Sequence, residues 1–226
     1  MQANFVSVGV LGKPQEVRAG FFVAGTRVEN KAEFSRLAWT RAGFEPKTPL
    51  FLKQAHSGTV VQVLNGHVPS HAPAGDAIIT DSKNAFLVIQ VADCLPVLFF
   101  DPLNKLVAGA HAGWKGSLLG IVPAVVQKLV CLGSRPEQVR IWMGPSIRAC
   151  CYEVDVERAV LFPRKNDSKR CIDLVSFNLK SLVAAGVRKE SVFIDRRCTA
   201  CSGEAFPSYR REGKKAGRIF ACLALG

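Results

Sequence analysis

Apolar residues along this chain fall into short runs separated by turn-forming residues, and the spacing within each run assigns its conformation. Residues 17–24 alternate weakly and stop at Gly25, which predicts a strand. Asn30 then stands as an N-cap before a helix over 31–42, with Phe34, Leu37, Ala38 and Arg41 spaced for one face and Gly43 as the stop. A short apolar run at 50–52 precedes Gln54-Ala55-His56-Ser57, and 60–64 leaves that loop as a strand. Asn65-Gly66 and the stretch 69–75 predict a turn and an exposed loop. Residues 76–80 form a short strand with Asp76 at its entrance, and 85–91, 97–100 and 106–110 are apolar enough to be buried strands.

The second half continues in the same way. A helix is expected over 117–132, with Leu118, Ile121, Val122, Val125, Val126 and Leu129 on one side and Gly133 closing it. Residues 139–143 predict a strand that ends in Gly144-Pro145-Ser146-Ile147, and 150–160 stays open between loop and helix. Residues 164–170 are polar and mixed in charge, so they form a loop. A helix over 174–185 ends at Gly186, and 191–195 and 217–225 close the chain as strands. Strands and helices mix without strict alternation, which favours a layered α+β domain over a doubly wound sheet.

Bulk properties narrow this picture. The 226 residues, 48% hydrophobic, are enough for one buried core, and a single domain spanning 1–226 is expected. The formal net charge of +12 means that some surface attracts anions. The densest basic stretch, 210–218, is broken by Glu212, Gly213, Ala216 and Gly217, and no interleaved aromatic pattern accompanies it, so nucleic acid is not the expected partner. Eight cysteines are too few for a disulfide scaffold in a chain of this length. With no signal-like start and no apolar run long enough to span a bilayer, the expectation is a cytoplasmic protein with reduced thiols, and a monomer.

Two residues are out of keeping with their apolar runs, Cys94 in Ala92-Asp93-Cys94-Leu95 and His111 in Ala110-His111-Ala112-Gly113-Trp114, and a third borderline ligand, His56, follows the short apolar run 50–52. Two nitrogens and one sulfur suit zinc and leave a tetrahedral position open for water or substrate, the mark of a catalytic site. Zinc lowers the pKa of such a water towards roughly 7. Asp93 and Asp76 adjoin the ligand motifs, each as a general base, a loop cap or a partner to a ligand histidine. Phosphate could rest at the 113–117 helix start with Lys115, or near Ser146 and Arg210. Trp114, Phe206 and Tyr209 are candidates to stack on a base. Cys198-x-x-Cys201 has metal or redox spacing but no second such pair, and Cys150-Cys151 is expected to split between core and pocket edge.

The segments QAHSGTVV, GDAIIT, ADCLPVLFFD, AGAHAGWKGSLLGIV, GPSIRACCYEV, DLVSFNLKSLVAAGV and CTACSGEAFPSYRREGKKAGR, spread over 48–226, together resemble the YfiH-type laccase-domain family, also called polyphenol oxidase and purine nucleoside phosphorylase. The resemblance implies a four-layer α/β/β/α sandwich with mixed sheets, shared with the deamidase domain of cytotoxic necrotizing factor. It implies zinc held by His56, Cys94 and His111. It also implies phosphorolysis of adenosine, inosine, guanosine and methylthioadenosine, with adenosine deamination as a second reaction, so that the partners are a nucleoside and phosphate. One departure is that Ala24 leads through 25–30 almost directly to the expected helix, where the family carries a glycine- and serine-rich segment. Two other chemistries fit the same residues. One is a metal-free hydrolase with Cys94 as nucleophile and His111 as base, such as an amidase acting on a cell-wall precursor. The other is a copper-dependent oxidase of phenols, for which Met143 is the candidate axial ligand and four histidines are few.

Overall fold

The computed structural model describes residues 5–13, 15–24, 47–66, 68–163 and 170–226. The expected helix over 31–42, the unusual 25–30 connection and most of the 164–170 loop lie outside the described residues. Among the described residues eleven strands form two mixed sheets. The first sheet holds β1 (Phe5–Ser7), β2 (Val17–Ala24), β3 (Thr48–Leu50), β6 (Ala85–Val91) and β11 (Arg218–Leu225), in the order β1-β2-β11-β6-β3. The second holds β4 (Val60–Val63), β5 (Ala77–Thr80), β7 (Leu95–Asp101), β8 (Leu106–Ala112), β9 (Arg140–Met143) and β10 (Val192–Ile194), ordered β10-β9-β7-β8-β5-β4. In each sheet antiparallel pairs are joined by parallel ones, β6 with β3 in the first, and β5 with β4 and β9 with β10 in the second.

The period-two alternation of the strands sorts their side chains into layers. Leu87, Ile89, Val91, Ile219, Ala221 and Leu223 of the first sheet meet Ile78, Leu98, Phe100, Val107 and Trp142 of the second. The opposite face of the second sheet, with Val97, Phe99, Ala108, Ala110 and Ile141, packs under helices α1 (Trp114–Leu118), α2 (Ile121–Cys131) and α4 (Leu174–Ala184). Two short helices, α3 (Val156–Ala159) and α5 (Tyr209–Glu212), complete the α-helices of the described residues, to which five single-turn 3-10 helices are added. The outer face of the first sheet carries Phe22, Phe86, Val88 and Phe220. Helix, sheet and sheet are thus three layers of the expected α/β/β/α arrangement, and the α+β class stands.

Three boundaries differ from the sequence expectation for identifiable reasons. Strand β7 starts at Leu95 rather than 97 because Pro96, which has no N–H to donate, uses its carbonyl to accept from Gly144 N at 2.9 Å. Strand β8 runs on to Ala112 because His111 N donates to Asp76 O at 2.7 Å. The single helix expected over 117–132 is two helices. Gly120 sits at φ +72°, ending α1, and Pro123 falls in the first turn of α2, where its missing N–H costs nothing.

Two of the four connections between the sheets among the described elements matter for function. The chain passes from β3 in the first sheet to β4 in the second through 51–59, and from β6 in the first to β7 in the second through 92–94. His56 lies on one crossing and Cys94 on the other.

Candidate metal centre and its cavity

Asp76, fully buried just ahead of β5, organises the centre. Its Oδ2 accepts from Ala55 N at 3.1 Å, Ser57 N at 2.6 Å and Ser57 Oγ at 2.7 Å. Its Oδ1 accepts from His56 N at 2.9 Å and lies 2.8 Å from His111 Nδ1. One carboxylate therefore fixes the 55–57 turn and the ring of His111 together. Burial alone would raise the Asp76 pKa, but the bonds from His111, Ser57 and Ala55 hold it well below the usual carboxylate range. The bond to Nδ1 leaves Nε2 as the atom that His111 presents on its other side.

Cys94 closes the set from the second crossing. Its Sγ is 3.9 Å from His56 Nε2, and the His56 and His111 rings meet edge to face with centroids 4.6 Å apart. One ligand atom from each of the three residues lies within 4.8 Å of the others. His56 and the neighbouring Asp93 both adopt left-handed backbone, at φ +59° and +81°, conformations that cost energy and gather at functional sites. Burial would raise the Cys94 thiol, but His111 and His56 bring it down to about 6. Burial would lower the His111 imidazole, but Asp76 and Cys94 lift it to about 9. Sulfur is thus held in the thiolate form that binds metals.

Gly113 leaves the space in which the three donors meet. A Cβ at this position would stand 2.9 Å from Cys94 Sγ and 3.0 Å from His56 Cδ2. Donors of types N, S and N suit a metal of borderline softness, and a methyl group at Gly113 would press on two of the three residues that carry them. The backbone at Gly113, φ −75° and ψ 179°, suits any residue, so the reason for glycine is room.

The centre opens into a cavity of about 760 Å³. Trp114, Tyr152 and Tyr209 line it together with Arg158, Arg210 and Arg218. The Arg158 guanidinium lies 5.2 Å from the centre of the Trp114 ring, and that of Arg210 lies 5.7 Å from Tyr152. Burial and the negative charge of Cys94 and Asp93 push the Tyr152 hydroxyl up to about 12, against the pull of Arg158 and Arg210, so it remains an O–H donor at neutral pH. Gln54 and Gln90, also on the lining, exchange backbone–side-chain hydrogen bonds of 2.8 and 2.9 Å.

Not every residue singled out in the sequence faces this cavity. Arg210 does, and so does Asp93, whose oxygens are engaged by Thr199 Oγ1 and Arg210 N, each at 2.6 Å. Lys115 is exposed and lies off the lining, its Nζ 5.4 Å from the Trp114 ring. Ser146 is fully buried behind the wall. Ser117, the expected first helical residue and phosphate seat, is instead inside α1 and buried, with its Oγ accepting from Asn178 Nδ2 at 2.8 Å. Phe206 packs on Phe21 between the sheets rather than in the cavity. Met143 belongs to the core beneath the helices. Cys150 and Cys151 do not divide between core and pocket edge, since both sit with Cys198 and Cys201.

Tyr152, Arg158 and Arg218 were not anticipated as lining residues. For Arg158 a local signal exists: Asp155 caps α3 by accepting from Arg158 N at 2.8 Å, so Asp-x-x-Arg marks a one-turn helix inside the stretch left open between loop and helix.

Comparison with known proteins bears on this arrangement. A purine nucleoside phosphorylase of Deinococcus radiodurans is 35% identical over 206 residues, which is 87% of this chain and 76% of that protein. Adenosine deaminase RL5, from an unknown prokaryotic organism, is 34% identical over 157 residues, covering 64% of this chain and 60% of its own length. The crystal structure of the Bacillus licheniformis hypothetical protein YfiH superposes with a TM-score of 0.81 at 28% identity, over 93% of each chain. Residues 20–226 match the family described as multi-copper polyphenol oxidoreductase laccase, and the chain belongs to that family.

Proposed function

We propose that this protein is a zinc-dependent purine nucleoside phosphorylase, with adenosine deamination as a second reaction. The observation that carries the reading is the cavity itself, in which aromatic faces and three guanidinium groups stand over the His56, Cys94 and His111 donors. Relatives named purine nucleoside phosphorylase and adenosine deaminase support the substrate class.

Zinc held by His56, Cys94 and His111 would supply a Lewis acid at the cavity floor. Trp114, Tyr152 and Tyr209 offer apolar faces to a purine ring. Arg158, Arg210 and Arg218 offer fixed donors to phosphate. In phosphorolysis a phosphate oxygen bonds to the sugar C1′ as the bond from C1′ to the base nitrogen breaks, and the base leaves with the electron pair. The Tyr152 O–H, kept protonated and on the cavity lining, would donate a hydrogen bond to that departing base. Asp93, with both oxygens engaged, acts by positioning: it fixes Thr199 and the start of α5, and so the approach of Arg210.

One observation favours a second reading, in which Cys94 attacks an amide. Its thiol, brought down to about 6 beside an imidazole lifted to about 9, is also poised as a nucleophile. The copper reading draws less support, because Met143 is packed in the helix-side core, away from the cavity lining.

The test is turnover of inosine and adenosine with and without phosphate, for the wild type, Cys94→Ala and a chelator-treated sample. Phosphate-dependent release of free base, lower by about 100-fold or more in the variant and restored to the chelated sample by zinc, is expected. Nucleoside turnover that survives Cys94→Ala unchanged refutes the proposal. Amide hydrolysis that survives chelation but not alkylation of Cys94 establishes the second reading in its place.

A further inference from the structure

Of the seven cysteines outside the chemistry above, four come together. Cys150 and Cys151 lie in the turn after β9, and Cys198 and Cys201 lie in the turn after β10. Neither pair shares a spacing that predicts the other, yet the parallel pairing of β9 with β10 delivers both turns to the same end of the second sheet. There the two segments join, through a bridge between Ser146 and Cys198 and a bond from Thr199 N to Ser146 O at 3.1 Å. All four sulfurs lie within 4.8 Å of one another, and none is in a disulfide.

We infer that Cys150, Cys151, Cys198 and Cys201 form a second metal site, a structural zinc centre with four thiolate ligands. Sulfurs at the corners of a tetrahedron with zinc–sulfur bonds of about 2.3 Å are separated by about 3.8 Å. The Cys150 and Cys201 sulfurs are 3.8 Å apart. A disulfide would employ two of these sulfurs and leave two thiols crowded against it, whereas one divalent ion employs all four.

Around Cys198 the surroundings favour negative charge, although burial pushes the Cys150 and Cys151 thiols up in the absence of an ion. Arg148 N donates to Cys198 Sγ at 3.4 Å, and the N–H groups of Ala200 and Cys201 are directed at the same sulfur. Such amide donors favour the thiolate over the thiol. The half-buried Arg148 guanidinium adds a cation beside Cys150 and Cys198, and its Nη2 is enclosed without a hydrogen-bond partner. A tetrathiolate zinc centre carries two net negative charges, which this cation would partly offset.

The ion would clip the 146–152 turn to the 198–201 turn. Thr199, inside the clip, donates to Asp93, and Tyr152, next to Cys151, lines the cavity. The site therefore supports the cavity wall without touching the space above His56, Cys94 and His111.

The test uses the Cys94→Ala variant, in which the first centre is dismantled. After purification under reducing conditions without chelator, elemental analysis is expected to find one zinc per chain. Adding Cys198→Ser and Cys201→Ser is expected to remove it. Should that triple variant fail to fold, cobalt loading of Cys94→Ala decides alone. Intense thiolate-to-cobalt charge-transfer bands with tetrahedral d–d absorption support the site. A Cys94→Ala protein that is free of zinc and gives no such bands with cobalt overturns the inference, as does a Cys150–Cys201 disulfide found by peptide mapping of unreduced protein.

Discussion

Replacing Asp76 by asparagine tests the construction of the first centre most directly. The substitution keeps shape and burial but exchanges one acceptor oxygen for an NH2 group. If the amide oxygen takes the Oδ2 position, it still serves Ala55 N, Ser57 N and Ser57 Oγ, without the negative charge. The NH2 then faces His56 N and His111 Nδ1, both of which met an acceptor before. His111 can accept from the amide only by moving its proton to Nε2, the atom that must be bare to bind a metal. Charge-assisted bonds contribute about 1.5–3 kcal/mol each, so losing two and weakening three is expected to cost about 3–5 kcal/mol after relaxation. Urea unfolding of chelator-treated protein at pH 7 reads that loss. Competition with a chromophoric chelator reads the zinc affinity, expected to fall 10- to 100-fold. Because the folded Asp76 pKa is depressed, its contribution is complete above the unfolded value of about 3.9 and is lost as pH falls through the lower folded value. The gap between wild type and variant therefore closes only in strong acid. A variant within 0.5 kcal/mol of wild type, roughly the scatter of an ordinary surface substitution, and with zinc affinity unchanged would refute the assigned role.

Two further outcomes follow from the same geometry. Gly113→Ala keeps an allowed backbone but drives a methyl group against Cys94 and His56. It is expected to lower zinc affinity by at least about tenfold while costing about 1–3 kcal/mol of stability, and zinc titration at wild-type affinity would sink the argument from room. In metal-free wild type, His111 alone contributes stability that is complete below 6.5 and lost as pH rises through about 9. Cys94 alone contributes the reverse, complete above 9.0 and lost as pH falls through about 6. The two changes nearly cancel in the proton count, so unfolding of the metal-free wild type is expected to depend little on this pair between those limits. Cys94→Ala removes one side of the balance together with the part of the His111 lift that Cys94 supplies, so the remaining bond to Asp76 is expected to leave a smaller fall in stability as pH rises above 6.5, which urea midpoints across that range will report.

Much of the architecture could be read from periodicity because most strands are buried and carry unbroken apolar runs. Strands β2 and β6 have the limits that hydrophobicity alone assigns. Where local signals conflicted, the reading slipped. Pro96 suggests a late start for β7, but its carbonyl still pairs, and Gly120 with Pro123 divides a stretch whose apolar face runs straight through the break. Cys94 and His111 could be picked out because each is a polar or reactive group in an apolar run, and His56 because a ligand side chain follows directly after the run 50–52. Tyr152, Arg158 and Arg218 could not, since an exposed-looking arginine or tyrosine becomes a lining residue only when distant turns converge. The four-cysteine cluster was hidden for the same reason: spacing links Cys198 to Cys201, but only the pairing of β9 with β10 brings Cys150 and Cys151 alongside.

Two of the crossings between the sheets, 51–59 and 92–94, give the first centre a mechanical character. His56 and Cys94 each sit on a segment with one end in either sheet, while His111 ends β8 of the second sheet alone. An ion shared by the three would act as a rivet between layers whose packed faces meet through apolar contact, which is non-directional and tolerates sliding. Relative displacement of the sheets would then be felt as a change in the geometry of the donors. Packing deep between the layers, such as Phe21 stacked on Trp142 at 5.8 Å, thus becomes part of the tuning of metal affinity although it touches no ligand. Loading with metal would in turn stiffen the whole sandwich by mass action on its native state.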